Sequence, residues 1–410
     1  MPSYKEVVKN LEERVIMPDR PPSLLPVKEG LNSLNLGYDP KKVIVVAGTN
    51  GKGTVSATLS VLLEATGAKV GLYTSPHLID TTERIRINSK PISQEKFVTA
   101  FDFVKKKIPH ERLSHFEMLT LMAHTVFTSE KCDWIIYEVG LGGIWDATNA
   151  FDHDTSVICR LGFDHQDILG QSMWEIAKNK LGITRDGREH KVIHLPLPIE
   201  VDKLFINYKK QMQSQFIEVN PFRFEIDKTK DEPVYRLQTP WGVTPLRLMG
   251  QRAVENSSLA LRVFSELGFD PREFLSALKK VNWPGRMDFE VYENKKIYFS
   301  GDHNPQGVES LKEILSHFGY RNLWAVIGIG KAKDAKQMLE TFSSIPRTKI
   351  LLTETPFRGM NLSDYKFDAI YSNSDPKTVL DYAVAKSEKE DMILVTGSLY
   401  LVGELKRLIK

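Results

Sequence analysis

The chain has 410 residues, of which 41% are hydrophobic and 26% are charged. This length exceeds one ordinary hydrophobic core, so about two to three domains are expected. Lysine and arginine total 55 against 52 aspartates and glutamates, and the net charge of +3 gives no general reason to expect nucleic acid or an anionic membrane as a partner. The composition is that of an ordinary globular protein.

Three further features predict a cytoplasmic protein without a membrane span or a disulfide framework. The two cysteines, Cys132 and Cys159, lie beside or inside predicted strands, which suits small packing residues in a reducing compartment. The N-terminal stretch predicts a charged amphipathic helix without the apolar core of a signal peptide. No run of about 18 apolar residues occurs in the sequence. Because there are only two cysteines and both suit packing positions, we expect no disulfide framework.

The first strong pattern follows a proline-rich loop at residues 18–26. Val43–Ala47 is a β-branched run typical of a strand that is buried on both faces. We predict a helix over Thr54–Ala65, which Gly67 ends, and a second strand over Val70–Thr74. A strand, a tight turn, a helix and a returning strand begin a parallel α/β sheet.

Gly48, Gly51 and Gly53 lie between the first strand and this helix, with Lys52 among them. Glycines allow backbone N–H groups to surround a phosphate, the helix N-terminus adds a positive partial charge, and Lys52 adds a formal one. The spacing departs from GxxxxGK[ST], but the same physical features are present. The sequence predicts a phosphate-binding loop, and the alternative is a plain turn with a solvated lysine.

Other polar residues follow later predicted strands. Thr74–Leu78 follows the second strand, Glu138 ends another, and His165 lies just beyond a third. Lys180 lies on the helix that comes next. Because the carboxyl ends of parallel strands meet at one edge of a sheet, we expect these residues to lie close to the phosphate-binding loop.

The second half of the chain changes pattern twice. Short alternating segments over about residues 190–248 predict an antiparallel appendage. Trp283–Arg286 contains Pro-Gly and predicts a hinge, after which strands and helices alternate again. The predicted fold class is α/β, with a P-loop-containing parallel-sheet domain over 1–285 and a smaller Rossmann-like α/β domain over 286–410.

Several segments, taken together, resemble one family. In chain order they are Gly48–Thr54, Thr74–His77, Glu138–Asn149, Trp283–Arg286, His303–Pro305 and Val395–Gly403. They resemble the folylpolyglutamate synthase and dihydrofolate synthase branch of the Mur ligases. Glu138–Asn149 and Val395–Gly403 are specific to that branch, whereas the first loop alone indicates only the wider superfamily.

The resemblance implies an ATP-dependent ligase that joins L-glutamate to a carboxylate of dihydropteroate or of a folate. ATP would first phosphorylate the carboxylate, and the amine would then displace phosphate. The first domain would be the ATP-binding, Mur-ligase-like ATPase domain and the second the glutamate-ligase domain. The expected cofactor is Mg²⁺, with two ions. We expect small-molecule substrates and a monomer.

The resemblance also implies site residues. Lys52, His165 and Lys180 are implied as catalytic. ATP contacts are implied for Asn50, Gly51, Lys52, Gly53, Thr54, Asn256, Arg286, Ser300 and His303. Substrate contacts are implied for Ser114, His115, Phe116, Glu117, Trp145, Asp146 and Ala147. Ser75 and Glu138 would hold one magnesium, and His165 with Lys180 as a carbamate would hold the second.

Each assignment has a plainer alternative. Lys180 read by itself is a cation near phosphate, because an ammonium cannot ligate a metal. Ser75 could be only a turn residue and Glu138 only a capping or surface carboxylate. Phe116 and Trp145 could stack on a flat ring or could pack in the core.

The chain departs from the family pattern at three places. The Asp-Leu-Gly-Leu type loop of the dihydropteroate-using enzymes is not visible between Arg20 and Leu31, which disfavours dihydrofolate synthase activity specifically. Ser300 stands where the family has an acid, and an acid follows at Asp302. Arg252 and Ala253 replace a His-Gln pair.

Two rival functions remain. A Mur-type ligase acting on a cell-wall precursor is disfavoured by the segments specific to the folate branch, and a non-catalytic nucleotide-binding paralogue is suggested by Ser300 and Arg252.

Overall fold

The computed structural model describes residues 2–14, 21–108, 113–229, 232–331, 333–357 and 359–409. Residues 18–20 of the predicted proline-rich loop lie outside these ranges. By its internal contacts the chain divides into two compact units. The first unit contains residues 1–223, 239–244 and 255–281, and the second contains residues 224–238, 245–254 and 282–410.

An eight-stranded sheet is the centre of the first unit. Its strands are β1 (Val43–Ala47), β2 (Val70–Tyr73), β3 (Ile85–Ile87), β4 (Lys90–Pro91), β5 (Trp134–Glu138), β6 (Thr155–Ile158), β7 (Lys191–His194) and β8 (Gln215–Glu218). The order is β4-β3-β2-β5-β1-β6-β7-β8. From β2 to β8 in this order neighbours are parallel, whereas β3 and β4 pair antiparallel at one edge.

The central strand β1 has the burial expected of a strand inside a parallel sheet. All of its residues are buried, because neighbouring strands and covering helices exclude water from both faces. The prediction of this strand and of a parallel α/β sheet is confirmed. The carboxyl ends of β1, β5 and β6 lie side by side, so the segments that follow them meet at one edge.

Helices cover this sheet. They are α1 (Tyr4–Glu12), α2 (Leu25–Leu34), α3 (Lys52–Ala65), α4 (Gln94–Lys107), α5 (His115–Ser129), α6 (Gln166–Leu169), α7 (Met173–Leu181), α8 (Asp202–Lys210), α9 (Gln251–Glu266) and α10 (Pro271–Phe274). The first four residues of α9 are assigned to the second unit. Helix α3 begins at Lys52, two residues before the predicted start, because Gly51 adopts φ +94° as its N-cap.

The prediction of an antiparallel appendage from about residue 190 is wrong for its first part. Strands β7 and β8 extend the large sheet in parallel. Strand β8 is the last strand of the sheet, and none of its residues is fully buried. An edge strand of a parallel sheet has mixed polarity, which resembles the alternation of an antiparallel strand.

A smaller sheet accounts for the rest of that segment. It contains β9 (Arg223–Asp227), β10 (Val234–Thr239) and β11 (Gly242–Pro245), in the order β11-β10-β9. The Glu232 carboxylate accepts hydrogen bonds from the Tyr298 hydroxyl at 2.9 Å and from the Lys296 ammonium at 2.8 Å. These contacts lie within the second unit.

A six-stranded sheet forms the core of the second unit. Its strands are β12 (Arg286–Tyr292), β13 (Lys295–Ser300), β14 (Leu323–Ile327), β15 (Thr348–Thr353), β16 (Tyr371–Asn373) and β17 (Met392–Thr396), and its helices are α11 (Pro305–Leu315), α12 (Ala335–Ser343), α13 (Pro376–Lys386) and α14 (Leu399–Leu408). The order is β12-β13-β17-β14-β15-β16, in which only the β12–β13 pair is antiparallel. The predicted second α/β unit is confirmed. Across the described ranges, no helix has the length and apolarity that a bilayer crossing needs.

Candidate functional site

The loop Gly48–Thr54, here called the glycine loop, follows β1. Gly48 has φ +151°, and a Cβ there would lie 2.7 Å from the Cβ of Cys159. Gly51 has φ +94°, and a Cβ there would lie 2.3 Å from the side-chain oxygen of Asn256. Both positions therefore need glycine for the close approach as well as for the backbone conformation. The predicted ATP residue Asn256 lies directly against this loop.

Two lysines share one acceptor in the glycine loop. The Lys180 ammonium donates to the Gly48 carbonyl oxygen at 3.0 Å, and the Lys52 ammonium donates to the same oxygen at 3.3 Å. Only 4% of Lys180 is exposed. Burial is the main cause that lowers its pKa to about 7; the charge of Lys52 lowers it further, and Asp164 and Asp146 oppose the shift. A large share of Lys180 is therefore a neutral amine at neutral pH.

The predicted metal residues of the first site lie together. The backbone N–H of Ser75 donates to Oε2 of Glu138 at 3.1 Å, and Glu138 is buried at the end of β5. Asp164, beside His165, is close enough to act on the pKa of Lys180. In the described part of the chain no three His, Cys, Asp or Glu side chains cluster as a metal site. The predicted metal ligands would not form such a cluster, because they include the hydroxyl of Ser75 and the side chain of Lys180.

The segment Glu138–Asn149, here called the β5 loop, packs against the end of α7. The Ile144 N–H donates to the Asn179 carbonyl oxygen at 3.0 Å. A Cβ on Gly143 would lie 2.6 Å from that same oxygen and 3.0 Å from the Cα of Lys180. Only glycine permits this short distance between the two backbones. The contact between the β5 loop and the end of α7 therefore fixes the position of the Lys180 backbone.

Gly143→Ala should therefore move the end of α7. We expect a loss of about 1 to 3 kcal/mol in the free energy of unfolding, because the clash is with backbone atoms that cannot rotate away. Turnover should fall by more than the fraction of protein that unfolds, because Lys180 lies in the displaced end of α7. Urea denaturation and turnover below the melting range measure the two effects. Gly187→Ala is the matched control, since a Cβ there meets no atom within 4 Å, and unchanged behaviour of both variants would contradict the contact.

Asp146, predicted to bind substrate, organises the β5 loop itself. One carboxylate oxygen accepts from the N–H groups of Gly140 and Leu141, each at 3.0 Å. The other accepts from the N–H and the hydroxyl of Thr148, at 3.0 and 2.6 Å. Burial raises the pKa of Asp146, while these hydrogen bonds oppose the shift. The structure supports a loop-shaping role, and substrate contact stays a prediction.

Ser114 and Glu117, also predicted as substrate residues, form the capping box of α5. The Ser114 N–H donates to the Glu117 carboxylate at 2.7 Å, and the Glu117 N–H donates to the Ser114 hydroxyl at 3.3 Å. His115 Nδ1 lies 2.8 Å from the Leu11 carbonyl oxygen of α1. The spacing Ser-x-x-Glu could have identified this cap from the sequence alone.

The two aromatic candidates differ in exposure. Phe116 packs on Tyr73, with ring centroids 5.6 Å apart, and its ring would be 2.7 Å from a Cβ on Gly140. This placement favours the packing alternative for Phe116. Trp145 is 55% exposed on the β5 loop, and Ala147 beyond it is buried. Trp145 is therefore the better candidate for stacking on a flat ring.

In the second unit, Arg286 pairs with Ser300 across β12 and β13. The Ser300 hydroxyl donates to the Asp302 carboxylate at 2.5 Å, and Arg252 lies 3.8 Å from the other oxygen of that carboxylate. An acid therefore occupies the space beside Ser300, although it comes two residues later in the chain. His303 is half-buried, desolvation lowers its pKa, and its Nδ1 lies 2.8 Å from a backbone carbonyl oxygen two residues earlier. The ATP contacts of these residues stay predictions.

Sequence reasoning missed two contributors in the first unit. Asn179 supplies the backbone oxygen that receives the β5 loop. Arg160 and Glu255 form an ion pair whose Nε–Oε2 distance is 2.9 Å, and Glu255 directly precedes Asn256. Neither feature has a sequence signal, because each depends on elements that lie far apart in the chain.

Comparisons with known proteins identify relatives of this chain. The model of the family described as "Mur ligase, glutamate ligase domain" matches residues 285–399. The dihydrofolate synthase/folylpolyglutamate synthase of Buchnera aphidicola subsp. Schizaphis graminum is 32% identical over 374 residues, covering 88% of this chain and 86% of that protein.

Solved structures are similar over nearly the whole chain. Mycobacterium tuberculosis folylpolyglutamate synthase complexed with ADP has a TM-score of 0.88 at 25% identity, covering 99% of this chain and 98% of that one. The bifunctional folylpolyglutamate synthase/dihydrofolate synthase from Yersinia pestis c092, complexed with AMPPNP and Mn ion, has a TM-score of 0.84 at 26% identity, covering 100% and 98%. The resemblance drawn from the motifs is confirmed: the chain belongs to the dihydrofolate synthase/folylpolyglutamate synthase family, whose members are ATP-dependent ligases of the Mur ligase type.

Proposed function

We propose that this chain uses ATP to join L-glutamate to the carboxylate of a folate or of dihydropteroate, through an acyl phosphate. One observation carries the proposal at the level of residues. The glycine loop lies beside two lysines, of which Lys180 is buried and has a pKa of about 7. A loop that can receive phosphate and a cation fixed beside it are parts that phosphoryl transfer to an anion requires. A buried lysine that can lose its proton is what a carbamate ligand for the metal requires.

Lys52 would neutralise charge during phosphoryl transfer. It is the first residue of α3, so its ammonium and the N-terminal N–H groups of the helix lie at the same end of the element. The transfer brings a triphosphate and a carboxylate together, and like charges repel. A cation fixed at the loop lowers that repulsion most where the charge develops.

A divalent metal is supported by the Mn ion in the Yersinia pestis complex. We propose Mg²⁺, with two ions: Ser75 and Glu138 would hold one, and His165 with carbamylated Lys180 would hold the other. The oxygen donors of the set fit, since hydroxyl, carboxylate and carbamate oxygens are hard ligands, His165 is the one nitrogen donor, and the Ser75 N–H keeps Glu138 oriented. When bound, the ions supply positive charge beside the phosphates.

Glu138→Gln should raise the magnesium concentration needed for half-maximal activity by at least about tenfold. The amide keeps the size and an oxygen that can accept from the Ser75 N–H, but it loses the charge that attracts the ion. Magnesium titrations of initial rate measure the change. Glu95→Gln, at an exposed position of α4, is the control. Superimposable titrations of Glu138→Gln and the unaltered protein would remove Glu138 from the metal site.

The acyl phosphate makes a prediction about atoms. If the substrate carboxylate attacks the γ-phosphorus, one of its oxygens leaves with phosphate when the amine of glutamate displaces it. With ¹⁸O in the substrate carboxylate, released phosphate should carry the label, as mass spectrometry detects. Unlabelled phosphate together with labelled amide product would refute this route.

The activity itself is tested by ADP release. The substrates to compare are dihydropteroate, tetrahydrofolate, and the 10-formyl and 5,10-methylene forms, each with and without L-glutamate. Release that requires both a pteroate or folate and glutamate supports the proposal. Release with a nucleotide-sugar peptide instead would indicate a cell-wall ligase, and no release with any of them would indicate a non-catalytic paralogue.

We further propose a monomer that works in the cytoplasm. Cys132 and Cys159 are both free thiols, which suits a reducing compartment. Burial raises the pKa of each thiol to about 12, so both are protonated and unreactive at neutral pH. Light scattering of the purified chain tests the monomer.

A further inference from the structure

An ion pair connects the segment after β6 with helix α9. Nε of Arg160 donates to Oε2 of Glu255 at 2.9 Å, and a terminal nitrogen of the same guanidinium donates to the other carboxylate oxygen. The Glu255 side chain is 4% exposed and that of Arg160 is 50% exposed. This two-point pairing has a fixed geometry, since both groups are planar.

Both partners of the pair are also connected to the glycine loop. The Arg160 carbonyl oxygen accepts from the Thr49 N–H at 3.0 Å and from the Asn50 N–H at 3.3 Å. The residue after Glu255 is Asn256, whose side chain lies against Gly51. Arg160 thus holds the loop through its backbone and holds α9 through its side chain.

We infer that the Arg160–Glu255 pair is a positioning device that fixes the part of α9 from Glu255 and Asn256 onward against the glycine loop and thereby sets nucleotide affinity. The inference rests on the proposed function for the use of ATP. The pair acts through Asn256 and the loop amides, so neither member needs to touch the nucleotide. Separation of α9 from the loop would weaken several nucleotide contacts at once.

Calorimetric binding of ADP with magnesium tests this inference. Arg160→Ala and Glu255→Ala should each raise the dissociation constant about tenfold, and the double variant should show about the same tenfold change, because two residues of one unit are not additive. The melting temperature supplies a second readout. The double variant should regain stability over Arg160→Ala, which removes the charged partner of the buried Glu255 carboxylate, but should not regain affinity.

Arg262→Ala is the matched control. Arg262 also forms an ion pair on α9. Its guanidinium lies 2.8 Å from the carboxylate of Glu266, which is one helical turn further along the same helix. This substitution should leave ADP affinity unchanged. If the alanine variants do not fold, Arg160→Lys and Glu255→Gln test the same geometry, because each keeps size and loses the two-point charged pairing.

Three results would overturn the inference. Affinities within twofold for every variant would make the pair structural only. A loss with Arg160→Ala but none with either Glu255 variant would mean that the guanidinium contacts the nucleotide itself. If the double variant recovered both stability and ADP affinity, the lower affinity of the single variants would be a consequence of their lower stability. An unaltered protein that binds no ADP would instead refute the proposed function, which is a distinguishable outcome.

Discussion

Lys52→Ala should reduce turnover at least about 1,000-fold, equivalent to roughly 4 kcal/mol of transition-state stabilisation, while the fold survives. The hydrogen bond that the Lys52 ammonium donates to the Gly48 carbonyl oxygen, at 3.3 Å, is worth only about 1 kcal/mol to stability. The charge is needed most when the γ-phosphoryl group meets the substrate carboxylate. ADP affinity should therefore fall much less than turnover.

Initial rates and ADP calorimetry on the same preparation separate these effects. Lys41→Ala is the control, because this lysine is exposed and lies before β1. Lys52→Arg keeps the positive charge but changes its position, and should recover part of the rate. If Lys52→Ala retains activity within tenfold of the unaltered protein, the glycine loop does not carry out phosphate neutralisation through this lysine.

The sequence predicted the elements that local patterns determine. Strand β1 matches its predicted bounds, because it is a β-branched run. The order of polar residues behind successive strands also predicted that they would meet at the sheet edge, and Lys52 and Lys180 do meet on Gly48.

What the sequence could not predict depends on distant partners. Strands β7 and β8 look like an antiparallel pair, and only the neighbouring β6 shows that they continue a parallel sheet. The requirement for glycine at Gly143 comes from a backbone oxygen more than thirty residues later, at Asn179. No local pattern records such a contact. The motifs therefore predict which segments form the site, whereas tertiary packing determines which substitutions each position accepts.

Lys180→Ala should leave almost no activity, because we propose that this lysine holds a metal as a carbamate. Burial and the charge of Lys52 lower the pKa of Lys180 to about 7. Above that pH the amine is mostly neutral and can attack CO₂, and below it the ammonium cannot. Activity that depends on bicarbonate should consequently be lost as the pH falls below about 7.

The variants separate a carbamate from a simple cation. Lys180→Arg keeps a positive charge but cannot be carbamylated, so it should be as inactive as Lys180→Ala. Lys178→Ala, at an exposed position of the same helix, should remain active. A Lys180→Arg enzyme with near-normal turnover would show that a cation beside phosphate is all that the reaction needs.

Chemical rescue and spectroscopy complete the test. In Lys180→Ala a short carboxylic acid such as acetate could enter the vacated space and supply the missing oxygens, so added acetate should restore part of the activity. The amine donates to the Gly48 carbonyl oxygen at 3.0 Å, so the carbamate would form beside the glycine loop. Unaltered protein equilibrated with ¹³C-bicarbonate should show a carbamate carbon by NMR that Lys180→Ala lacks. With magnesium and nucleotide bound, identical spectra of the two proteins would establish a bare ammonium, and Lys180 would then act only as a phosphate-facing cation.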